Sequence, residues 1–248
     1  MKVFALALCT LFCSSLDAKT LKQETTVNLG WWQEVSDASE KSGMYSRSVI
    51  TADHRTVADW GSLFIKGQME NLGAKSDSLD GTEGNVWFKT IGTVYYNLSD
   101  TGFKIWYDLF VNANQKVSEV ENLLGFAYQQ NIGKLSITGG LAMSYLSGHS
   151  PLGSVEGAIA PIARVTANYQ IRNNLLAFGV ITANLNRDTK KLESAFPALG
   201  NSGHFALIGF NYRFSPQWGF SLTLRDYRNW GAYNTGGNSI VSSVGFTF

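Results

Sequence analysis

The chain has 248 residues, with 20 basic and 19 acidic side chains and a formal net charge of +1 at pH 7. A balance so close to neutral gives no electrostatic reason to expect nucleic acid or an anionic surface as a partner. Aromatic residues make up 13% of the chain, and 25 glycines accompany only 4 prolines. This composition suits many strands joined by tight turns, in a membrane barrel or in a soluble β-sandwich or barrel.

The N-terminal segment is typical of a secretory signal. Lys2 supplies a positive charge, residues 3–12 are apolar, and residues 13–18 form a polar exit that ends in Ala18. We predict that residues 1–18 are a signal peptide, too short to span a bilayer, and that residues 19–248 form one domain. Because Cys9 and Cys13 both precede the expected cut, we expect no disulfide and no cysteine nucleophile in the mature chain.

The rest of the chain contains a long series of strand-like stretches with alternating apolar and polar residues. They span 21–33, 44–54, 59–70, 84–97, 103–114, 119–130, 134–146, 158–171, 174–186, 203–214, 218–228 and 239–248. A tilted membrane strand needs roughly 9–11 residues, whereas soluble strands average about 5–6. After residue 18, no apolar run is long enough for a membrane helix, which needs about 18 residues or more.

The connections between these stretches alternate in length. Short turns are expected at 54–58, 98–101, 131–133, 172–173 and 215–217, and long polar loops at 34–43, 71–83, 147–157, 187–202 and 229–238. The connection at 115–118 is the exception, since it is short where a long loop is due. Short periplasmic turns and long external loops are typical of outer-membrane barrels. We therefore predict an all-β fold: a monomeric transmembrane antiparallel β-barrel of about twelve strands in the bacterial outer membrane, with both termini periplasmic.

Strand parity assigns each side chain to lipid or to the lumen. In the stretch 103–114, the alternating apolar set from Phe103 to Ala113 is expected to face lipid, and the polar set that includes Asp108 and Asn112 to face the lumen. A charge on the lipid face near the midplane would cost about 2–4 kcal/mol. Parity gives these candidate lumen residues: Trp60, Phe64, Lys66, Trp87, Lys89, Trp106, Asp108, Phe110, Arg164, Arg213, Arg225 and Tyr227.

The expected size of the barrel limits what this lining can do. Barrels of about 8 strands are filled or hold one small ligand, and those of about 16–18 leave a wide channel. An intermediate barrel implies a narrow lumen, and aromatic faces beside charged groups suit a planar solute with a polar rim, such as a nucleobase on a sugar. In this interpretation Trp106 and Phe110 stack on the base while Asp108 accepts hydrogen bonds. Alternatively, the charges pair across the wall and the aromatic rings fill space.

One segment suggests a family. Thr51-Ala52-Asp53-His54, a few further residues, and then Asp59-Trp60-Gly61-Ser62-Leu63-Phe64 resemble a stretch of the nucleoside-specific channel-forming outer-membrane proteins of the Tsx type. The resemblance implies a twelve-stranded monomeric barrel that passes nucleosides, and some members of that family also serve as phage or colicin receptors. Of the candidate lumen residues, only Trp60 and Phe64 lie within the similar segment.

Catalytic and metal-binding patterns are weak. The chain has three histidines, His54, His149 and His204. Asp53-His54 resembles an acid–base pair, but a role in stabilising a periplasmic turn is the simpler interpretation. The acidic loop with Asp77, Asp80 and Glu83 has oxygen ligands of the kind that Ca²⁺ prefers, yet a solvated loop is expected more often. We therefore predict no enzyme activity, no cofactor and no metal, with an outer-membrane hydrolase or acyltransferase as a remote alternative.

The C-terminal stretch resembles the closing strand of outer-membrane barrels. Ile240, Val244, Phe246 and Phe248 share one parity, and the chain stops on an aromatic residue. In that class of protein a terminal Phe is the usual assembly signal, which implies recognition of Phe248 by the barrel-assembly machinery. We expect Phe196, by contrast, to be exposed in a loop. The sequence thus favours a channel for small polar solutes, nucleosides first. The alternative is a barrel with a closed lumen whose loops bind phage or host.

Overall fold

The computed structural model describes residues 19–36, 46–72, 86–197, 199–230 and 236–248. The expected signal peptide and the acidic loop with Asp77, Asp80 and Glu83 lie outside these residues. In the described part, no helix is both long and apolar enough to cross a membrane.

The chain forms a closed antiparallel barrel of 12 strands in which each strand pairs with its neighbours in sequence and β1 pairs with β12. The strands are β1 Thr20–Glu34, β2 Arg47–Ala58, β3 Gly61–Glu70, β4 Trp87–Asn97, β5 Phe103–Ala113, β6 Ser118–Ile132, β7 Leu135–Ser150, β8 Gly153–Arg172, β9 Leu175–Asn184, β10 Gly203–Arg213, β11 Trp218–Arg228 and β12 Gly237–Thr247. A short helix, α1 (Thr189–Leu192), lies between β9 and β10. The predicted fold class is confirmed.

The barrel closes through the two terminal strands. Val27 lies opposite Phe246, and Trp32 lies opposite Val241. The amide of Phe248 donates to the carbonyl of Thr25 at 2.9 Å. Because an even number of strands brings both termini to one end, that end, which also carries the short turns, is the periplasmic one.

The outer surface of the barrel is apolar. Leu29, Phe126 and Leu141 are each more than 60% exposed on the outer face, an arrangement suited to lipid rather than water. Exposed aromatic side chains also form a band near the periplasmic end: Tyr96, Phe103, Tyr128, Tyr169, Tyr212, Phe214 and Trp218. Such bands lie at the membrane interface in outer-membrane barrels. The fold and its surface are those of a bacterial outer-membrane β-barrel.

Two connections differ from the sequence-based expectation. The predicted turn 54–58 is wrong, because β2 continues to Ala58 and the turn is formed by Asp59 and Trp60. The strand continues because residues up to Ala58 pair with both β1 and β3. This pairing places Asp53 and His54 on opposite faces of the wall, so they form no acid–base pair. The His54 ring instead bonds Thr25 Oγ1 at 2.9 Å and Thr56 Oγ1 at 3.0 Å.

The predicted external loop 147–157 is also wrong. β7 extends to Ser150 and β8 begins at Gly153, so most of this segment is a hairpin that projects toward the extracellular end. The β9–β10 connection packs against it: Ser150 Oγ donates to the Ala195 carbonyl at 2.6 Å, and Ser194 Oγ donates to the Ser154 carbonyl at 2.6 Å. These tertiary contacts stabilise strand geometry in a stretch whose glycines and serines resemble a loop.

Phe196 is not exposed in a loop, as the sequence suggested. It is 7% exposed and belongs to an apolar cluster at the extracellular end. The cluster contains Leu146, Val155, Ala158, Leu192, Ala195, Phe196 and Leu199. Here the β9–β10 connection covers the inner face of the β7–β8 hairpin, since Leu146 and Ala158 belong to the inward-facing set of their strands.

Candidate functional site

The predicted alternation holds on β5. Trp106, Asp108 and Asn112 are buried inside the barrel, while Phe103 on the opposite face is 54% exposed. Phe110 shares the inward parity, is partly buried, and lies opposite Glu121 of β6. Strand period alone therefore places these side chains correctly in or out.

One side of the lumen is filled by side chains. We call this region, built by β5 to β8, the filled sector; its buried apolar residues are Trp106, Leu123, Ala127, Ala142 and Ile162. The small residues Gly140 and Ala142 make room for the Trp106 ring, since a Cβ at Gly140 would lie 2.9 Å from that ring. Trp106 is 0% exposed, so no face of its indole is open to a solute.

Asp108 and Arg164 form an ion pair inside the filled sector. The indole Nε1 of Trp106 donates to Asp108 at 2.8 Å. The Arg164 guanidinium lies 4.5 Å from the centroid of the same indole, and its Nε donates to Thr182 Oγ1 at 3.0 Å. Asp108 already accepts hydrogen bonds from two partners, and Trp106 is covered. The predicted stacking site on Trp106 is therefore corrected to an internal network that stabilises the barrel wall.

The other side of the lumen contains a cavity of about 400 Å³. Its wall is formed mainly by β1, β2, β3, β10, β11 and β12, and the β8–β9 turn residues Asn173 and Asn174 border it near the periplasmic end. Four of the predicted lumen residues line it: Phe64, Lys66, Arg213 and Arg225. A volume of this order matches small-molecule sites, which span about 300–1,000 Å³.

The predicted lining of the lumen is corrected at Trp60. It lies in the β2–β3 turn and is not among the residues that line the cavity. Its backbone amide is held by the Asp59 carboxylate at 2.8 Å. Parity from Phe64 and Lys66 suggested an inward side chain at position 60, but the strand begins at Gly61, and parity does not extend past the end of a strand.

Toward the extracellular end, the cavity is bordered by a set of buried charges that we call the charged layer: Glu34, Arg47, Glu70 and Lys89. Arg47 Nε lies 2.6 Å from Glu70 Oε2, and Lys89 Nζ lies 2.5 Å from Glu70 Oε1. Arg47 Nη1 also lies 3.5 Å from Glu34 Oε1. Two predicted lumen residues flank the layer: Tyr227, whose hydroxyl donates to Glu34 Oε2 at 3.2 Å, and Trp87, which lies opposite Glu70 on β4.

Sequence reasoning missed several of these residues. Arg47 and Glu70 belong to the charged layer, and Trp32 lies where this layer borders the cavity, yet none of the three was a candidate. The signal was present for Glu70, which has the same parity as Lys66 on β3. For Arg47 and Trp32, the alternation along β2 and β1 gave the face, but no local pattern indicates that Arg47 lies 4.0 Å over the Trp32 ring.

The cavity has an excess of positive charge. Five cationic side chains line it (Lys22, Arg55, Lys66, Arg213 and Arg225), against the two carboxylates Glu24 and Asp53, a difference of three. Glu24 is shared by Lys22 and Arg213 at the periplasmic mouth. Asp53 is 3.8 Å from Lys66. In the described part of the chain, Arg55 and Arg225 form no salt bridge, so the field in the cavity is positive.

A second group of buried charges lies beside the filled sector. Glu119 and Glu121 of β6 are 1% and 8% exposed, and Arg187 of the β9–β10 connection is 7% exposed. Burial lowers the pKa of the Arg187 guanidinium, and the carboxylates of Glu121 and Glu119 oppose that shift. Arg187 also donates to the Asn229 carbonyl at 2.9 Å. Since an arginine stays protonated in proteins, it supplies a fixed countercharge here.

The described residues contain no group of three or more His, Cys, Asp or Glu side chains that could hold a metal ion. The other two histidines are engaged locally. His149 Nδ1 lies 3.0 Å from Ser154 Oγ, and His204 Nε2 lies 2.6 Å from Asp226 Oδ2. Neither histidine is among the residues that line the cavity.

Comparison with known proteins places the fold. No family model and no curated protein matches the chain. Among solved structures, the NanC porin is similar with a TM-score of 0.54 and 9% identity, over 90% of this chain and 98% of that one. A KdgM porin in complex with disordered oligogalacturonate is similar with a TM-score of 0.52 and 8% identity, over 90% of this chain and 99% of that one. At these identities the similarity concerns the fold alone, and the resemblance to nucleoside-specific channels stays a prediction.

Proposed function

We propose that the chain is a narrow outer-membrane channel through which small polar solutes diffuse. The observation that carries the proposal is the cavity of about 400 Å³ inside a closed barrel, lined by amide, hydroxyl and charged side chains. A barrel whose lumen were only structural would gain more from apolar filling, as the filled sector does. Weak polar contacts along a wall suit a solute that must enter and leave.

Nucleosides are the first candidate solute from the sequence resemblance, and the cavity supports them in part. Phe64 contributes aromatic surface, and Asn28, Gln68 and Asn211 contribute hydrogen-bonding groups. Base stacking on an aromatic side chain is worth about 1–3 kcal/mol, which fits weak and reversible occupancy. Trp106 takes no part, because it is covered.

The charged layer would form the constriction of this channel. Glu70 is 0% exposed and Arg47 is 4% exposed, so a solute that passes from the cavity toward the cell exterior must move beside their ion pair. A ring of charges at a narrow point commonly sets selectivity in channels.

The same observation favours a second candidate function. If the charged layer and the filled sector stay packed, the lumen is closed, and the barrel would act through its extracellular loops as a receptor for phage, host or another envelope component. Assembly by recognition of Phe248 and a monomeric state belong to both proposals.

Conductance of the purified protein in planar lipid bilayers tests the two functions. A channel is expected to give discrete conductance steps in potassium chloride, and millimolar adenosine is expected to reduce them more than the same concentration of sucrose. Steps that adenosine does not affect would exclude nucleoside binding and leave a general solute channel. Absence of steps from protein that is folded by gel mobility would favour the surface-binding function.

A further inference from the structure

The end of the cavity that borders the charged layer has two buried hydrogen-bond donors without an acceptor. Within the described residues, neither Trp32 Nε1 nor Arg225 Nε has a hydrogen-bond partner. Both side chains line the cavity, and Trp32 is only 5% exposed. A buried donor that lacks an acceptor is unfavourable, so these two groups are poised for an acceptor that enters from the cavity.

The two donors belong to one contact. The Arg225 guanidinium carbon lies 4.2 Å from the centroid of the Trp32 ring. The ring therefore holds the guanidinium in place by a cation–π interaction. A guanidinium that is already fixed against an aromatic ring loses little further conformational freedom when it binds a planar anion.

Charge at this end is not balanced. In the charged layer, the two carboxylates Glu34 and Glu70 balance the two cations Arg47 and Lys89. In the described part of the chain, Arg225 forms no salt bridge, and Lys66 forms one only with Asp53 at 3.8 Å, a separation longer than a direct hydrogen bond. Arg225 and Lys66 thus present positive charge to the same cavity without full compensation.

We propose that Arg225, Lys66 and Trp32 Nε1 bind the carboxylate or phosphate of a small organic anion, so that the channel prefers acidic solutes to neutral ones. This inference rests on the proposed channel function and specifies its substrate class. A carboxylate or phosphate offers the oxygen acceptors that the orphaned donors lack, and arginine binds such groups through two parallel hydrogen bonds. The remaining positive field of the cavity attracts the anion from solution.

Calorimetric titration of the folded barrel in detergent tests the site directly. Two matched pairs of probes separate charge from shape: galacturonic acid with galactose, and adenosine 5′-monophosphate with adenosine. We expect each acid to bind roughly tenfold or more tightly than its neutral partner, because a charge-assisted hydrogen bond is stronger than a neutral one. The tighter of the two acids identifies carboxylate or phosphate as the preferred group. Equal affinity within both pairs would overturn the proposal.

Three variants locate the effect. Arg225→Gln is expected to remove the preference for the acid in each pair, and Arg225→Lys to restore part of it. Trp32→Phe keeps an aromatic ring but removes the indole N–H, so a smaller loss is expected; it also tests the site if Arg225→Gln does not fold. The control is Arg228→Gln, an exposed cation on the same strand, which should bind like the wild type. Unchanged acid preference in both Arg225→Gln and Trp32→Phe would refute the assignment.

The electrical measurement separates this inference from the channel function. With a salt gradient across the bilayer, wild type is expected to show a reversal potential on the anion-selective side, and Arg225→Gln a shift toward zero. Conductance steps with cation selectivity would overturn the inference and leave the channel intact. Acid binding without any conductance would overturn the channel and leave the anion site.

Discussion

Arg47 and Glu70 form a salt bridge inside the barrel, with 2.6 Å between Arg47 Nε and Glu70 Oε2. They lie on adjacent antiparallel strands, where Glu70 pairs with Val49, two residues along from Arg47. Lys89 on the next strand contacts the other carboxylate oxygen. The Glu70 carboxylate on β3 thus pairs with one cation on each of the two strands beside it, and this arrangement makes the following variant informative.

Glu70→Gln leaves Arg47 and Lys89 buried without their shared countercharge. Removing one member of a buried ion pair costs about 3–5 kcal/mol, so we expect a loss of that order in the free energy of unfolding, measured by urea titration of the refolded barrel. Glu156→Gln, at an exposed position of β8, is the control and should change stability by less than about 0.5 kcal/mol. Equal stability of both variants would show that the charged layer is open to water.

Trp106→Ala tests the filled sector. Since the ring is fully covered and packs on Ala142 and Ile162, its loss should cost about 3–5 kcal/mol of stability. It should also widen the lumen, so single-channel conductance is expected to rise. Tyr107→Phe, on the lipid face, removes only the hydrogen bond to Asn122 and should leave conductance as in wild type. Reduced conductance in Trp106→Ala would mean instead that a solute contacts the indole.

Phe196→Ala should release the β9–β10 connection from the β7–β8 hairpin. The Phe196 ring approaches Gly148 so closely that a Cβ at that position would lie 2.9 Å from it. We expect faster cleavage within residues 185–202 by an added protease in intact cells, because buried segments resist cleavage until they open. Leu152→Ala, in the exposed turn of the hairpin, should be cleaved at the wild-type rate. A wild-type rate for Phe196→Ala would indicate that the other apolar contacts suffice.

Phe248→Ser separates assembly from stability. The Phe248 side chain is 77% exposed and contacts Phe246 at 5.0 Å between ring centroids, so its loss should lower the stability of the folded barrel by less than the about 1.5–3 kcal/mol of full burial. We expect the yield of heat-modifiable barrel in the outer membrane to fall severalfold. Phe214→Ser, also exposed near the periplasmic end, is the matched control. Similar yields from the two variants would remove any special role of the terminal residue.

Single cysteines at Ser202 and Ser99 test the orientation. Both positions are exposed, Ser202 in the β9–β10 connection and Ser99 in the β4–β5 turn. A membrane-impermeant maleimide added to intact cells should label Ser202→Cys, and should label Ser99→Cys only after the outer membrane is permeabilised. Labelling of Ser99→Cys alone would invert the topology. Ser150, which falls in the predicted loop 147–157, is unsuitable because its side chain is only 6% exposed.

The fold class and the face of most strand residues follow from the local sequence pattern alone. Alternation with a period of two is a local property of the extended backbone, so it placed Phe103 outside and Asp108 inside without knowledge of any partner. The number of strands and the end that carries the short turns follow from the same local signals. Parity failed at Trp60, because the strand begins one residue later and a local pattern does not mark that boundary.

Which lumen residues a solute can reach depends instead on contacts between strands that are distant in sequence. Trp106 and Phe64 have the same parity and the same aromatic character, yet the first is covered by three neighbouring strands and the second borders the cavity. The difference arises from small residues such as Gly140 and from the Asp108–Arg164 pair, which are distant in sequence. Likewise, Arg225 on β11 reaches Trp32 on β1 only because closure of the barrel leaves a single strand, β12, between them. Closure is a property of the whole chain.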